Sequence, residues 1–512
     1  MKHSTMALTL ATVALTCSAG VYNIRRDTSA DRVSTPLKVD LPRVGTLRPR
    51  AAHEIRGSNW RLGCEILDRD YMNFDEYKEH VEPLGIKLVR LQGGWAKCER
   101  EKGKYDFAWL DHIVDYLQAQ GVDCAIETSY GNPVYAGGGT IDLAAGFPTS
   151  EEGLAGWDNW VDALSRHFKG RVDKFLMWNE PDIGPRDGSA MKTPEQIAAF
   201  NVRTAKVILK NIPEAHLAGL SLARCKSEFF ESCLKAMGDD VKLFDTFIYH
   251  GYQNAPESSY AEVEKHKIVL AKYNPAARLW QGENGCPSEM ALKFALSRVA
   301  WSEYSQAKWD MRRMLGDLGH DVLSSVYTIC DFPHTGREIN LKGLIRANEE
   351  KEVVAIKRAY YAVQNVVSVF DDHWTRVKDS SFDGVGFGTR DASITTYHYV
   401  KDSGEPLFVF WAHGRDFEVL QKPQPGYVLG EGKYALKYER PGDGFETRPA
   451  AFKYTGGAPL KDPVWVDLFT GRVYAFPQKN QLVARRSIRF VDVPVYDSPC
   501  LLTEKSALEL MK

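Results

Sequence analysis

The sequence predicts an α/β fold, a (β/α)8 TIM barrel followed by a C-terminal β-sandwich. Three observations predict it. Eight short apolar strands alternate with amphipathic helices over residues 55–372. No GxGxxG motif follows the first strand, which argues against an open dinucleotide-binding sheet. After Phe370 the period changes to short β-rich runs broken by Gly, Pro and Asp.

The strands read as Asn59–Leu67, Ile86–Gln92, Val122–Ser129, Val172–Asn179, His216–Ala223, Leu243–Tyr252, Arg278–Glu283 and Asp321–Asp331. Helices fill the gaps at Phe74–Leu84, Phe107–Gln120, Glu151–Phe168, Pro194–Asn211, Ser227–Met237, Tyr260–Tyr273, Phe294–Leu318 and Val353–Phe370. The fourth helix has a clear start: Thr193 caps it, Pro194 suits its first position and Gln196 completes a capping box. Residues 373–512 form the expected sandwich, with strands among them at Ile394–Tyr399, Leu407–Ala412, Val464–Asp467 and Ile488–Val491. Residues 20–54 are polar and interrupted by Pro36, Pro42 and Pro49, and read as a linker or extended arm.

Residues 1–19 read as a signal peptide: Lys2 and His3, an apolar run Met6–Thr16, then a small-residue cleavage site at Cys17-Ser18-Ala19. An exported protein, periplasmic or secreted, is the expectation. Ala14-Leu15-Thr16 makes a poor lipobox, which argues against lipid anchoring at Cys17. No segment is long and apolar enough to be a membrane span. A net charge of −2 offers no field for nucleic acid. The nine cysteines include no CxxC pair and no metal spacing with His. Cys64, Cys124 and Cys330 lie in apolar runs and read as buried hydrophobes, while Cys225 and Cys233 could pair.

Chemistry in a (β/α)8 barrel sits where the strands end at the C-terminal face. The fourth strand runs into Asn179-Glu180 and the seventh into Gly282-Glu283. Those strands face each other across the mouth, so the two carboxylates can converge on one cleft. Glycosidic cleavage needs such a pair, one protonated to donate to the leaving oxygen and one ionised. Each charge raises the partner's pKa, so acid and base coexist. A retaining mechanism requires carboxyl groups roughly 5–5.5 Å apart, against roughly 9 Å for inversion.

Trp178-Asn179-Glu180-Pro181 resembles the strand-four signature of clan A of the retaining glycoside hydrolases. Within the clan the chain is most similar to glycoside hydrolase family 39, which holds β-xylosidases and α-L-iduronidases. The likeness runs through 105–117, 125–133 and 359–365, and covers residues of about 55 to 370. The resemblance implies Glu180 as general acid/base, Glu283 as nucleophile, and Asn179 bonding the sugar 2-hydroxyl. It also implies that His250 or Tyr252, at the end of strand six, bonds the nucleophile; Tyr252 is the first choice. Two features depart from the family: Gln92 stands in place of a sugar-binding His, and Gly282-Glu283-Asn284-Gly285 resembles the strand-seven end of the clan's β-glucosidases.

Arg90 can bond the nucleophile or pair with Glu65 or Glu127, and Glu127 can bind sugar or pair with Arg90. Trp95, Tyr130, Tyr135 and Phe332 lie on barrel-top loops as candidate stacking walls for a carbohydrate. Gly137-Gly138-Gly139 lacks the Lys-Ser/Thr of a phosphate loop, so no nucleotide cofactor is expected. No metal is expected either, since the strand ends offer only His250 clearly. A carbohydrate-binding barrel without catalysis is the alternative; it would keep this fold and lose one carboxylate.

Overall fold

The computed structural model describes residues 29–142, 146–184, 191–224, 226–334, 338–378, 381–385, 393–414, 424–428, 435–437, 444–455 and 457–511. The expected signal peptide, Cys17 and Cys225 lie outside the described residues; Cys233 is buried.

Eight parallel strands close into a barrel: β1 Trp60–Gly63, β2 Leu88–Gln92, β3 Asp123–Glu127, β4 Lys174–Leu176, β5 His216–Leu222, β6 Thr246–His250, β7 Arg278–Glu283 and β8 Leu323–Val326. β8 returns to pair with β1. Side chains alternate along each strand, so every second residue enters the barrel. Leu88, Ala125, Leu176, Ala218, Ile248, Trp280 and Leu323 make one apolar layer. Two residues further along their strands stand Arg90, Glu127 and His250. The apolar layer therefore floors the polar mouth, and the period of two decides which residues line it.

Two irregularities set the mouth. β5 shifts register between Gly219 and Leu222, where Leu220 and Ser221 take positive φ of 74° and 42°. The Ser221 carbonyl then accepts the Glu180 N–H at 2.9 Å. In β7, Gln281 pairs with Tyr249 but Glu283, not Gly282, pairs with His250. Gly282 is the extra residue of a bulge. A Cβ there would come 2.3 Å from Ile248 Cγ2, so only glycine fits. The bulge brings Glu283 opposite His250, where strict alternation would place a glycine.

Seven helices cover the barrel: α1 Ala108–Ala119, α2 Glu151–Phe168, α3 Pro194–Asn211, α4 Ser227–Met237, α5 Tyr260–Tyr273, α6 Glu303–Gly319 and α7 Arg358–Val369. Three expectations need correction. Between β1 and β2 the chain makes short 3-10 turns at Phe74–Glu76, Lys78–His80 and Glu82–Leu84 instead of one helix. Pro83 has no N–H for the helical ladder and its ring would crowd the preceding turn. α6 starts at Glu303, not Phe294, because Phe294, Leu296 and Arg298 hold φ of 72°, 61° and 60° and Ser302 caps the helix. α7 starts at Arg358, because Val353–Ile356 pairs antiparallel with Ile345–Ala347.

The β-domain is a sandwich. Its larger sheet runs Arg43–Thr46, Arg472–Ala475, Pro463–Asp467, Cys500–Glu504, Pro406–His413, Ser393–Lys401 and Trp374–Arg376. The smaller runs Phe382–Val385, Arg448–Thr455, Ser487–Val495 and Gln481–Ala484. The described part of the expected linker or extended arm thus supplies an edge strand to the larger sheet. Rings meet between the sheets: Phe382 stacks on Phe408 at 4.2 Å and on Phe452 at 4.9 Å. The sandwich leans on α6, where Lys308 pairs with Asp497 at 2.6 Å and Trp411 donates to Glu257, the partner of Arg312.

Truncating a ring that touches both sheets leaves a cavity between them. Phe382→Ala is expected to lose about 3–5 kcal/mol of β-domain stability in urea unfolding. A loss under about 1 kcal/mol would show that this ring does not join the sheets.

Candidate active site

Glu180 follows β4 in a strained conformation, φ 48°, of the kind that gathers where structure over-determines the backbone. Its carboxyl is 10% exposed, and burial, followed by the nearby Asp182 carboxylate, pushes its pKa up to about 8. Asp182 is itself held in place by the Ala223 and Arg224 N–H groups, at 2.7 and 2.8 Å. His250 Nδ1 lies 2.8 Å from Glu180 Oε1. Burial pulls His250 down to about 4, so the ring is neutral near pH 7. Nδ1 faces carboxylates while Nε2 is buried without a partner, which assigns the proton to Nδ1 as the donor to Glu180.

Glu283 ends β7 on the opposite side of the cleft. Tyr252 OH donates to its Oε1 at 2.9 Å. Its Oε2 lies 3.6 Å from Arg90 Nη1 and 3.5 Å from His250 Nδ1. One oxygen of each carboxyl and the His250 nitrogen all lie within 4.8 Å of one another. These three are the mouth's possible ligands for a cation, but the guanidinium faces one of them.

Arg90 sits on the floor, fully buried. It donates to Glu65 Oε1 at 2.8 Å, to Glu127 Oε2 from Nε at 3.1 Å and from Nη2 at 2.5 Å, to Asn179 Oδ1 at 2.7 Å and to the Gly282 carbonyl at 3.0 Å. Those partners hang from the ends of β1, β3, β4 and β7. Their negative charge raises the Arg90 pKa despite burial, so the guanidinium stays charged. Arg90 is thus paired with the buried Glu65 and Glu127 carboxyls, and its remaining edge stands 3.6 Å from Glu283. Glu127 takes the Arg90 fork on one oxygen, and Gln92 and Ser129 on the other. It is fully buried, so it braces the floor instead of reaching for a sugar.

Asn179 spans the two layers. Its Oδ1 takes Arg90, and its Nδ2 donates to Tyr130 OH at 2.7 Å. Gln92, found where the family resemblance implies a histidine, donates to Glu127 and to Tyr130 OH and accepts from Arg69. Trp95 is a correction. It does not face the cleft: Gly94, at φ 62°, turns the chain at the end of β2. Trp95 is left fully buried among Tyr135, Trp157 and Trp160, with its indole N–H on Glu99. Phe332 is buried as well, stacked on Tyr71. Sequence reasoning missed Lys342, which is almost wholly buried near Glu283 and pulled down to about 8 by burial. It sits in irregular chain after β8, where no periodicity marks a position as facing the cleft.

The family model described as beta-galactosidase, glycoside hydrolase family 42, matches residues 69–135. Beta-galactosidase BbgII of Bifidobacterium bifidum is 36% identical over 73 residues, 12% of this chain and 10% of that protein. Beta-galactosidase BgaA of Clostridium cellulovorans is 26% identical over 76 residues, 14% of this chain and 12% of that one. The matched stretch therefore spans about a tenth of the length of these curated relatives. A family 39 glycoside hydrolase from Bacteroides cellulosilyticus WH2 superposes with a TM-score of 0.59 at 17% identity, covering 87% of this chain and 81% of that one. A monomeric beta-xylosidase from Caulobacter crescentus CB15 gives 0.51 at 15% identity, covering 90% and 97%. These likenesses show the fold. The chain resembles the clan A glycoside hydrolases, with family 39 enzymes among the structures it resembles.

Arg90→Met would leave Glu127 buried without its cation and Glu65 without its donor. The expected cost is about 3–5 kcal/mol in urea unfolding, since stranding a buried charge forfeits more than the pair contributes. An unchanged midpoint would show that the floor is held by packing alone.

Proposed function

We propose that the protein is a retaining glycoside hydrolase acting by double displacement, with Glu180 as acid/base and Glu283 as nucleophile. One observation carries this reading: oxygens of the two carboxyls approach within 4.8 Å across the mouth. So close an approach suits a retaining pair, roughly 5–5.5 Å apart, better than the wider pair that inversion uses.

The surroundings support the division of roles. Glu180, at about 8, holds a proton at neutral pH and can give it to the glycosidic oxygen. The neutral His250 N–H orients that carboxyl without supplying a competing charge. Glu283 receives the Tyr252 hydroxyl and lies near Arg90, groups that hold its oxygens in place to attack the anomeric carbon. Once the glycosyl–Glu283 ester forms, the Glu180 carboxylate can take a proton from the incoming water, whose oxygen attacks the same carbon and releases Glu283. Asn179 stands beside Glu180, where its amide can reach the sugar 2-hydroxyl, as the clan resemblance implies. The substrate class is a carbohydrate. Relatives described as beta-galactosidases and a structural neighbour described as a beta-xylosidase favour a β-glycoside. The N-terminal pattern supports an exported enzyme.

Glu180→Ala is expected to abolish turnover of natural glycosides yet spare glycosylation by activated aryl glycosides, which need no acid. Azide should then yield a β-glycosyl azide from a β-glycoside. Glu283→Ala should lose several orders of magnitude on every substrate, roughly 10³-fold or more, because no covalent intermediate can form. Equal responses of the two variants to leaving-group acidity would overturn the assignment.

A further inference from the structure

The floor under Glu283 holds more carboxylates than positive charge. Glu65, Glu127 and Glu283 all face Arg90, and the adjacent imidazole of His250 is neutral. With all three ionised, Arg90 and Lys342, which is mostly protonated near pH 7 and lies near Glu283, would still leave one uncompensated negative charge in a nearly dry site. Such charge is avoided by taking up protons.

The hydrogen bonds say which carboxyl takes one. Glu127 has both oxygens satisfied, one by two Arg90 nitrogens and the other by Gln92 and Ser129. Glu283 has the Tyr252 hydroxyl on one oxygen, with Arg90 and His250 near the other, and its side chain is 14% exposed. Glu65 has one side-chain donor, Arg90 Nη1, on Oε1, and its own backbone N–H also favours the charged form; its Oε2 is buried with no hydrogen-bond partner. The other groups acting on it are Cys64 on its own strand's end, Tyr77 from the 3-10 turns and Tyr327 after β8, which are neutral near pH 7 and supply no charge. Arg69 reaches only the Glu65 carbonyl, at 3.3 Å. An unpartnered neutral hydroxyl costs far less in such a place than an unpartnered half of a carboxylate.

We propose that Glu65 is held as the neutral acid and is a positioning residue: it takes one edge of Arg90 without spending its charge. The guanidinium then serves Glu127, which braces the floor, and Glu283, which reacts. The catalytic consequence rests on the function proposed above, whereas the protonation state does not. Burial, opposed by Arg90, pushes the Glu65 pKa to about 8, in keeping with the geometry.

The test reads the proton without turnover. In infrared difference spectra of the intact protein near neutral pH, Glu65→Gln should remove one protonated-carboxyl C=O band. Glu127→Gln should leave that band in place, and Glu180→Gln should remove a different one. Thermal stability supplies the second readout. A carboxyl whose folded pKa is raised above its unfolded value contributes stability below the unfolded pKa and loses it as pH rises to the folded one. Relative to wild type, Glu65→Gln should therefore gain Tm as pH rises from about 4.5 to about 8. A Tm difference constant with pH, or a carboxyl band that survives Glu65→Gln, overturns the proposal. If the infrared and Tm results hold while no glycoside is cleaved, the function fails and the proton assignment stands.

Discussion

Arg90 is the point at which the barrel's separate strand ends become one site. Its guanidinium donates to side chains or carbonyls at the ends of β1, β3, β4 and β7, and its own strand is β2. A planar group with five donors in a fixed fork can serve that many directions; a lysine ammonium could not hold the same geometry. The cost of burying the charge is offset only because acceptors surround it. The positions of Glu127, Asn179 and Glu283 are therefore mutually dependent, and a change at one strand end is felt at the others.

The two bulges complete this arrangement. Regular alternation would aim Gly282 into the barrel and would leave the Glu180 turn without the Ser221 carbonyl. Strain at Glu180 and the tight seat of Gly282 against Ile248 are borne by an otherwise regular barrel. The Glu180 and Glu283 carboxyls thus owe their approach to departures from the pattern that forms the fold, while the apolar layer beneath them follows it.

Much of this was legible in the chain. All eight barrel strands and the bounds of α2, α3, α4 and α5 follow from apolar periodicity and start signals such as the Thr193 capping box, because these are local. Glu180 and Glu283 were visible because a strand end in a barrel has one meaning. What was not legible is what depends on closure or on loop geometry. The sharing of Arg90 between Glu65 and Glu127 exists only once β1, β2 and β3 are aligned. The burial of Trp95 depends on a left-handed glycine, and Lys342 comes near Glu283 from a stretch with no periodicity. Between β1 and β2, Pro83 sits within the span expected as the helix Phe74–Leu84 and forbids a continuous helical ladder there.

The strand Arg43–Thr46 completes the edge of the larger sheet by pairing with Arg472–Ala475, and Leu47 bridges to Leu510. Nearly the whole chain lies between these partners. On a ribosome, the early segment emerges long before its partner does, so the barrel can close while the segment is still waiting. Joining it to the sheet covers the free backbone edge of Arg472–Ala475. The early arm therefore waits on a strand made more than four hundred residues later before it can pair.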